Sequence, residues 1–289
     1  MYFKKNIQSN HLWVFSSFVG VALLYLSSIW KTTANIDRLT TDALFWGAII
    51  WLLWRKKERL NFDSDPISSF IGLSLLGLIL AKVITLYSFE SSLLPLLPFF
   101  STIALVSIVS GLKSFSQYVP ELFFSWFLFF PTGVIGHFID NTIHITILNA
   151  KLATYILYYF GFDVVSHSNQ VILSVPEVGK FRAIVDYPCA GVPMIILIFK
   201  LALLLIAAVS LSKKQRLLIP MFSVALGFLL GVVRVCILTL LIPAPTRFSY
   251  WHGSGGSQIF STLGIVIFSV FCYWILYGTG SNKQAATSN

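Results

Sequence analysis

Charged residues make up only 11% of the 289 positions, against about 25% in a soluble globular domain. That shortage excludes a water-facing surface of ordinary size, and the 56% of hydrophobic residues points to lipid instead. Cysteine is sparse too. The three cysteines, at 189, 236 and 272, have neither the paired spacing of a zinc site nor the even count of a disulfide framework, so no metal or other cofactor is expected. No small-residue cleavage site follows the first apolar stretch, which comes after Lys4 and Lys5 and therefore reads as an uncleaved span. Internal repeats, including the inverted repeats on which many transporters are built, are also lacking.

What the chain does have is a series of hydrophobic runs reaching the roughly 17–25 residues that cross a bilayer. They predict an all-α polytopic membrane protein with about eight transmembrane helices, near 12–30, 36–54, 67–87, 91–110, 119–138, 189–211, 217–242 and 258–277. Asp37, Arg38 and Asp42 make the second the weakest. Pro66 and Pro120 stand near span starts, where proline is tolerated, whereas Pro95, Pro98 and Pro131 are placed to kink their helices. The whole of 1–289 reads as one integral membrane domain of the cell (inner or plasma) membrane. Its formal charge of +9 suggests nucleic acid only until the distribution is inspected. Lys4, Lys5, Arg55, Lys56, Lys57, Arg59, Lys113, Lys213, Lys214, Arg216 and Lys283 flank the runs on alternate sides, which marks the cytoplasmic face and puts both termini there. The partner implied by the charge is the lipid bilayer, and nucleic acid is excluded.

One stretch breaks the pattern. Residues 139–188 are too polar to span and fall on the outer side, forming an extracytoplasmic segment ahead of the sixth span. Within it, 149–160 places Leu152, Tyr155, Ile156 and Tyr159 at helical spacing, predicting an amphipathic helix in the interface that ends at Gly161. The β-prone runs 171–175 and 181–185 predict a short hairpin leading to Cys189, and such a strand pair suits an extended peptide added at its edge.

Residues 189–277 carry the groups with chemical potential. Cys189 stands between the outer segment and span six, where a helix N-terminus lowers a thiol pKa and produces the nucleophilic thiolate. The ordinary fate of a lone cysteine is an inert thiol against lipid. Arg234 lies within an apolar run, where an unpaired guanidinium costs at least about 2.5–3.5 kcal/mol. It is about 17 residues past the cytoplasmic start, or roughly 25 Å across, at the level of Cys189. Snorkelling to the headgroups is the plain alternative. His252 follows span seven in a glycine-rich outer loop; its imidazole suits a general base that takes a thiol proton and returns it to a leaving amine, though a polar interface anchor looks the same in sequence. The topology count brings thiol, guanidinium and imidazole to one membrane level, with Arg234 suited to stabilise a tetrahedral oxyanion. Asp186, three residues before Cys189, is a candidate to orient His252 on that proximity to the thiol alone. Cys236, about 200° around the helix from Arg234, should face away. Lys82 sits near a span end, Lys200 has no evident purpose, and His137, His144 and His167 show no ligating spacing.

Over roughly 139–277 these residues resemble the exosortase/archaeosortase family of membrane transpeptidases. Asp186-Tyr187-Pro188-Cys189-Ala190-Gly191 is similar to its cysteine motif, Gly231-Val232-Val233-Arg234-Val235 to its arginine motif, and Trp251-His252 with the following glycines to its histidine motif. Ala190 stands where the family commonly has serine or threonine, and Gly231 where it often has asparagine; the Tyr-Pro-Cys form resembles a cyanobacterial branch. The resemblance implies a cysteine protease and transpeptidase that acts through a thioester on C-terminally anchored exported proteins of the PEP-CTERM type. These carry a short proline-containing motif, a transmembrane helix and a basic tail, and are passed to an acceptor nucleophile the sequence does not identify. The active site would lie on the extracytoplasmic face. Two other readings of the chain are a transporter or lipid-head-group carrier, for which Lys200 is the mid-membrane candidate, and an inactive scaffold of the same fold.

Overall fold

The computed structural model describes residues 2–33, 36–85, 94–129 and 132–278. They form two compact units, Met1–Pro131 and Thr132–Asn289. The first contains α1 (Tyr2–Thr33), α2 (Ile36–Arg55), α3 (Pro66–Thr85), α4 (Leu97–Ser110) and α5 (Val119–Phe129). In α1, Phe15, Phe18, Ala22, Tyr25 and Ile29 recur every three or four residues and are buried; Phe45, Trp46, Ile49 and Leu53 do the same in α2. These stripes bring the two helices together. Tyr25 donates to the Asp42 carboxylate at 2.9 Å, and Asp42 also pairs with Arg38. Lys56 pairs with the buried Glu121 at 2.6 Å and bonds to the Gln117 carbonyl. Pro66 opens α3 and Pro98 occupies its tolerated place in the first turn of α4, so neither kinks a helix. Pro95 lies in a 3-10 turn, and Pro131 lies outside the described residues. Asp65 accepts from the hydroxyl and amide of Ser68, which hold its carboxyl below the usual carboxylate range.

Among the described residues three helices are long and apolar enough to cross a membrane, at Leu12–Thr32, Lys213–Leu241 and Ser254–Tyr277. A fourth candidate is Leu94–Ser110 with Leu112–Leu128, bent by 118° at Gly111, whose φ is +69°. Of the other predicted spans, α2 forms but carries Asp37, Arg38 and Asp42; the apolar part of α3 and all of α8 (Val192–Ala208) are shorter. The run 119–138 is divided between α5 and α6 (Thr132–Ile143), which belong to different units.

In the second unit, α6 is followed by α7 (Ile145–Tyr159), then β1 (Val164–His167), β2 (Gln170–Val175) and β3 (Gly179–Ile184) in an antiparallel sheet of order β1-β2-β3. The predicted hairpin is β2–β3, its register fixed by Val175 opposite Gly179 and Gln170 opposite Ile184. β1 is an additional strand, joined to β2 by the turn at Ser168 and Asn169. One face of the sheet packs Val164, Val171 and Leu173 against Ala150, Ala153 and Leu157 of α7 and Val232 and Val235 of α9 (Lys213–Leu241). α7 is amphipathic. Its small residues face the protein, while Tyr155, Ile156 and Tyr159 of the predicted stripe are exposed. The chain closes with α10 (Pro245–His252) and α11 (Ser254–Tyr273).

Candidate active site

β3 leads into a tight turn. Cys189 N–H and Ala190 N–H both donate to the Asp186 carbonyl at 2.9 Å, and Gly191, at φ +75°, turns the chain into α8. Only glycine fits there, because a Cβ on Gly191 would stand 2.6 Å from the Cα of Gly231. Gly231 is constrained reciprocally by the Ala190 carbonyl at 2.7 Å, and one turn earlier Gly227 meets the Ile195 backbone at 2.6 Å. The Gly227-x-x-x-Gly231 spacing thus lets the backbones of α8 and α9 touch, the role small residues take at intramembrane helix contacts. The Ala190 carbonyl is held by Asn149 of α7, fully buried, whose amide donates to it at 3.0 Å and to the Ile145 carbonyl at 3.1 Å.

This close approach sets Arg234 of α9 under the turn. The side chain is 7% exposed. Its Nη1 donates to the Pro188 carbonyl at 3.1 Å and its Nη2 to the His252 carbonyl at 3.3 Å; Nε is buried without a partner. Two carbonyls, rather than a carboxylate, therefore engage the Nη groups of the guanidinium. Each belongs to one of the loops with a reactive side chain. His252 ends α10, its ring stacked on Phe248 at 5.2 Å, and Nδ1 lies 3.7 Å from Cys189 Sγ. Gly256 fits against the Trp251 carbonyl where any Cβ would be 2.3 Å away, which keeps the loop folded back.

Cys189, Arg234 and His252 are thus brought together. Asp186 contributes to the same turn through its carbonyl, whereas its exposed carboxylate makes no hydrogen bond to His252 among the described residues. The expected low thiol pKa is not what this environment produces. Cys189 is 7% exposed, and burial pushes the thiol up; the Arg234 charge pulls it back in part, and the Asp186 charge adds to the rise. Since α8 begins only at Val192, the thiol lies ahead of the helix's first amides. Burial thus favours the neutral thiol over the thiolate.

Cys236 faces away, its thiol directed at the Ala153 carbonyl of α7 at 3.8 Å. His137 contacts the Tyr187 ring at 4.4 Å, His144 precedes α7 with φ +54°, and His167 lies exposed on β1. Lys200 is buried on α8. Among the described residues no three His, Cys, Asp or Glu side chains converge as metal ligands would. Asn149 is the site residue that sequence reasoning overlooked; a lone amide on an otherwise apolar and small-residue helix face was its signal. Gly227 was overlooked as well, its signal being the four-residue spacing from Gly231.

Residues 30–269 match the family described as transmembrane exosortase (Exosortase_EpsH), a range that includes every residue of this site. No curated protein and no solved structure matches the chain.

Proposed function

This chain belongs to the transmembrane exosortase family, and from that premise we propose that it is a multi-pass membrane cysteine transpeptidase that processes C-terminal sorting signals of exported proteins. Family membership implies the substrate class, PEP-CTERM proteins. The observation that carries the catalytic reading is the approach of Cys189 Sγ to His252 Nδ1 at 3.7 Å, with Arg234 bonded to the backbone of both loops.

In the proposed reaction His252 Nδ1 takes the Cys189 proton as sulfur bonds to the scissile carbonyl carbon. The carbonyl π electrons move to oxygen. The buried Nε–H of Arg234, the guanidinium donor left without a partner, stabilises that oxyanion. Collapse breaks the C–N bond, the leaving amine receives the proton from His252, and a thioester on Cys189 remains. An acceptor nucleophile, its proton drawn off by His252, then attacks the thioester and restores the thiol. The first transfer starts from a neutral thiol, so His252 acts at the moment of attack and not through a standing ion pair.

The proposed topology keeps both termini and the basic clusters in the cytoplasm and sets the site on the extracytoplasmic face. It has about eight crossings, in which α2, α3 and α8 cross beside longer neighbours. The test is co-expression with candidate C-terminally anchored proteins, followed by mass spectrometry of their C-termini. A shortened C-terminus with wild type and an intact one with Cys189→Ala is the expected result. Shortening that persists in Cys189→Ala overturns the reading.

A further inference from the structure

β3 is an edge strand, and the hydrogen-bond phase of the sheet decides which of its backbone groups are open. Val185 N–H donates to the Asn169 carbonyl at 2.9 Å, across the β2 side. Ser174 N–H donates to the Asp163 carbonyl at 2.8 Å, across the β1 side. Both fix the same alternation. Gly179, Phe181 and Ala183 turn their N–H and C=O groups toward β2, so Lys180, Arg182 and Ile184 turn theirs to the open edge. Among the described residues no strand covers that edge.

The side chains of these three residues are exposed, on the sheet face away from α7 and α9. That face has Lys180 and Arg182 on β3, Gln170, Ile172 and Ser174 on β2, and Val165 and His167 on β1: two cations and no acid within the strands, the exposed Asp163 standing just before β1 on the far side of Ser174. Neither cation forms an ion pair among the described residues. β3 also runs directly into the nucleophile turn. Ile184 is five residues before Cys189, so the thiol lies within roughly 17 Å of the strand's end even if the connection were fully extended. β1 is the poorer edge, with four residues, no cation and no direct continuation into the Cys189 turn.

We propose that β3 receives the exported side of the substrate as a fourth, extended strand, and that this segment carries an acidic side chain facing Lys180 and Arg182. The inference rests on the transpeptidase reading and names its peptide-binding surface. Main-chain bonds to Lys180, Arg182 and Ile184 supply affinity and the two cations supply selectivity. They also set the direction of the charge along the peptide, since exposed Asp186, beyond the strand's end, disfavours a second acid beside the scissile bond.

The test uses full-length Cys189→Ala protein in phosphatidylcholine nanodiscs and a fluorescent peptide alternating valine with glutamate, read by anisotropy. Controls are the same peptide with lysine for glutamate, and one N-methylated at alternate amides. The glutamate peptide should bind, the lysine peptide should bind more weakly, and methylation should abolish binding without any change to the protein. Lys180→Glu with Arg182→Glu should shift the preference by at least about tenfold toward the lysine peptide. Ile184→Pro, which removes an outward N–H and no ladder bond, should weaken both. Equal binding of the methylated peptide, or an unchanged preference after charge reversal, overturns the proposal. So does charge reversal that abolishes binding to phosphatidylglycerol vesicles yet leaves the glutamate peptide unaffected, which would make the cations lipid contacts. Edge binding without Cys189-dependent processing would sink the catalytic reading alone, and processing that ignores the edge variants would sink the edge alone.

Discussion

A thiol kept neutral by burial must lose its proton before or during attack, and this has a measurable signature. Alkylation of Cys189 by a small membrane-impermeant reagent should keep accelerating above about pH 8.5, where a free cysteine levels off. The sign follows from burial, which raises the thiol by more than the Arg234 charge lowers it. Arg234→Ala should move the profile further up, while a plateau at or below the free-cysteine value would overturn the buried-thiol description. Arg234 itself separates charge from shape. Its two Nη groups reach the carbonyls of Pro188 and His252 at 3.1 and 3.3 Å. A single ammonium at the end of a lysine cannot span both and keep a third donor free. Arg234→Lys should therefore lower processing of an anchored substrate by about 10²–10³-fold at matched membrane levels, the range for losing an oxyanion donor. A snorkelling arginine would tolerate the change, so near-normal turnover by the lysine variant removes the geometric role. The meeting of these residues was readable from spacing, because helix rise and the alternation of basic clusters assign each a depth. The upward shift of the thiol was not: it depends on 7% exposure and on the two turn residues between Cys189 and α8.

Among the elements, the contact of α8 with α9 sets the nucleophile turn, and it depends on missing side chains. A methyl on Gly231 would stand 2.7 Å from the Ala190 carbonyl, whereas one on Gly47 in α2 meets nothing within 4 Å. Gly231→Ala should lower stability by roughly 1–3 kcal/mol through overpacking, and Gly47→Ala should raise it by up to about 1 kcal/mol through helix propensity. Thermal unfolding in one detergent compares them, and equal shifts would refute the close contact. Glycine three residues before the arginine thus has a steric reason, and the carbonyl it leaves room for is held by Asn149 from α7. Composition alone does not reveal such a partner 41 residues away. Helix periodicity located α7 and its apolar stripe, but not the small-residue face that packs on the protein. Tyr155 and Tyr159 are exposed because Ala150 and Ala153 allow closer approach to the protein. β1 escaped notice because four residues ending in Ser166 and His167 give too short an alternation to separate strand from loop. The division at 131/132 is hidden for a simpler reason, since one apolar run continues through it.

At the scale of the molecule in its bilayer, α9 is the longest of the candidate spans among the described residues, 29 residues with its basic first turn and, from Leu217 to its end, about 38 Å against a hydrocarbon thickness of roughly 30 Å. Such a helix answers a change of membrane by changing tilt. Both reactive loops hang from one guanidinium on that helix, so tilting carries them as a single body. Reactivity and altitude are thereby separated. Across phosphatidylcholine vesicles from short to long acyl chains, the alkylation rate of Cys189 should stay nearly flat, while processing of an anchored substrate should pass through an optimum. An alkylation rate that tracks thickness as steeply as processing would show that the loops move independently. A flat alkylation rate beside a processing optimum would make the thickness of the surrounding lipid a ruler, one that selects which peptide bond meets the thiol and leaves the distance between sulfur and imidazole untouched.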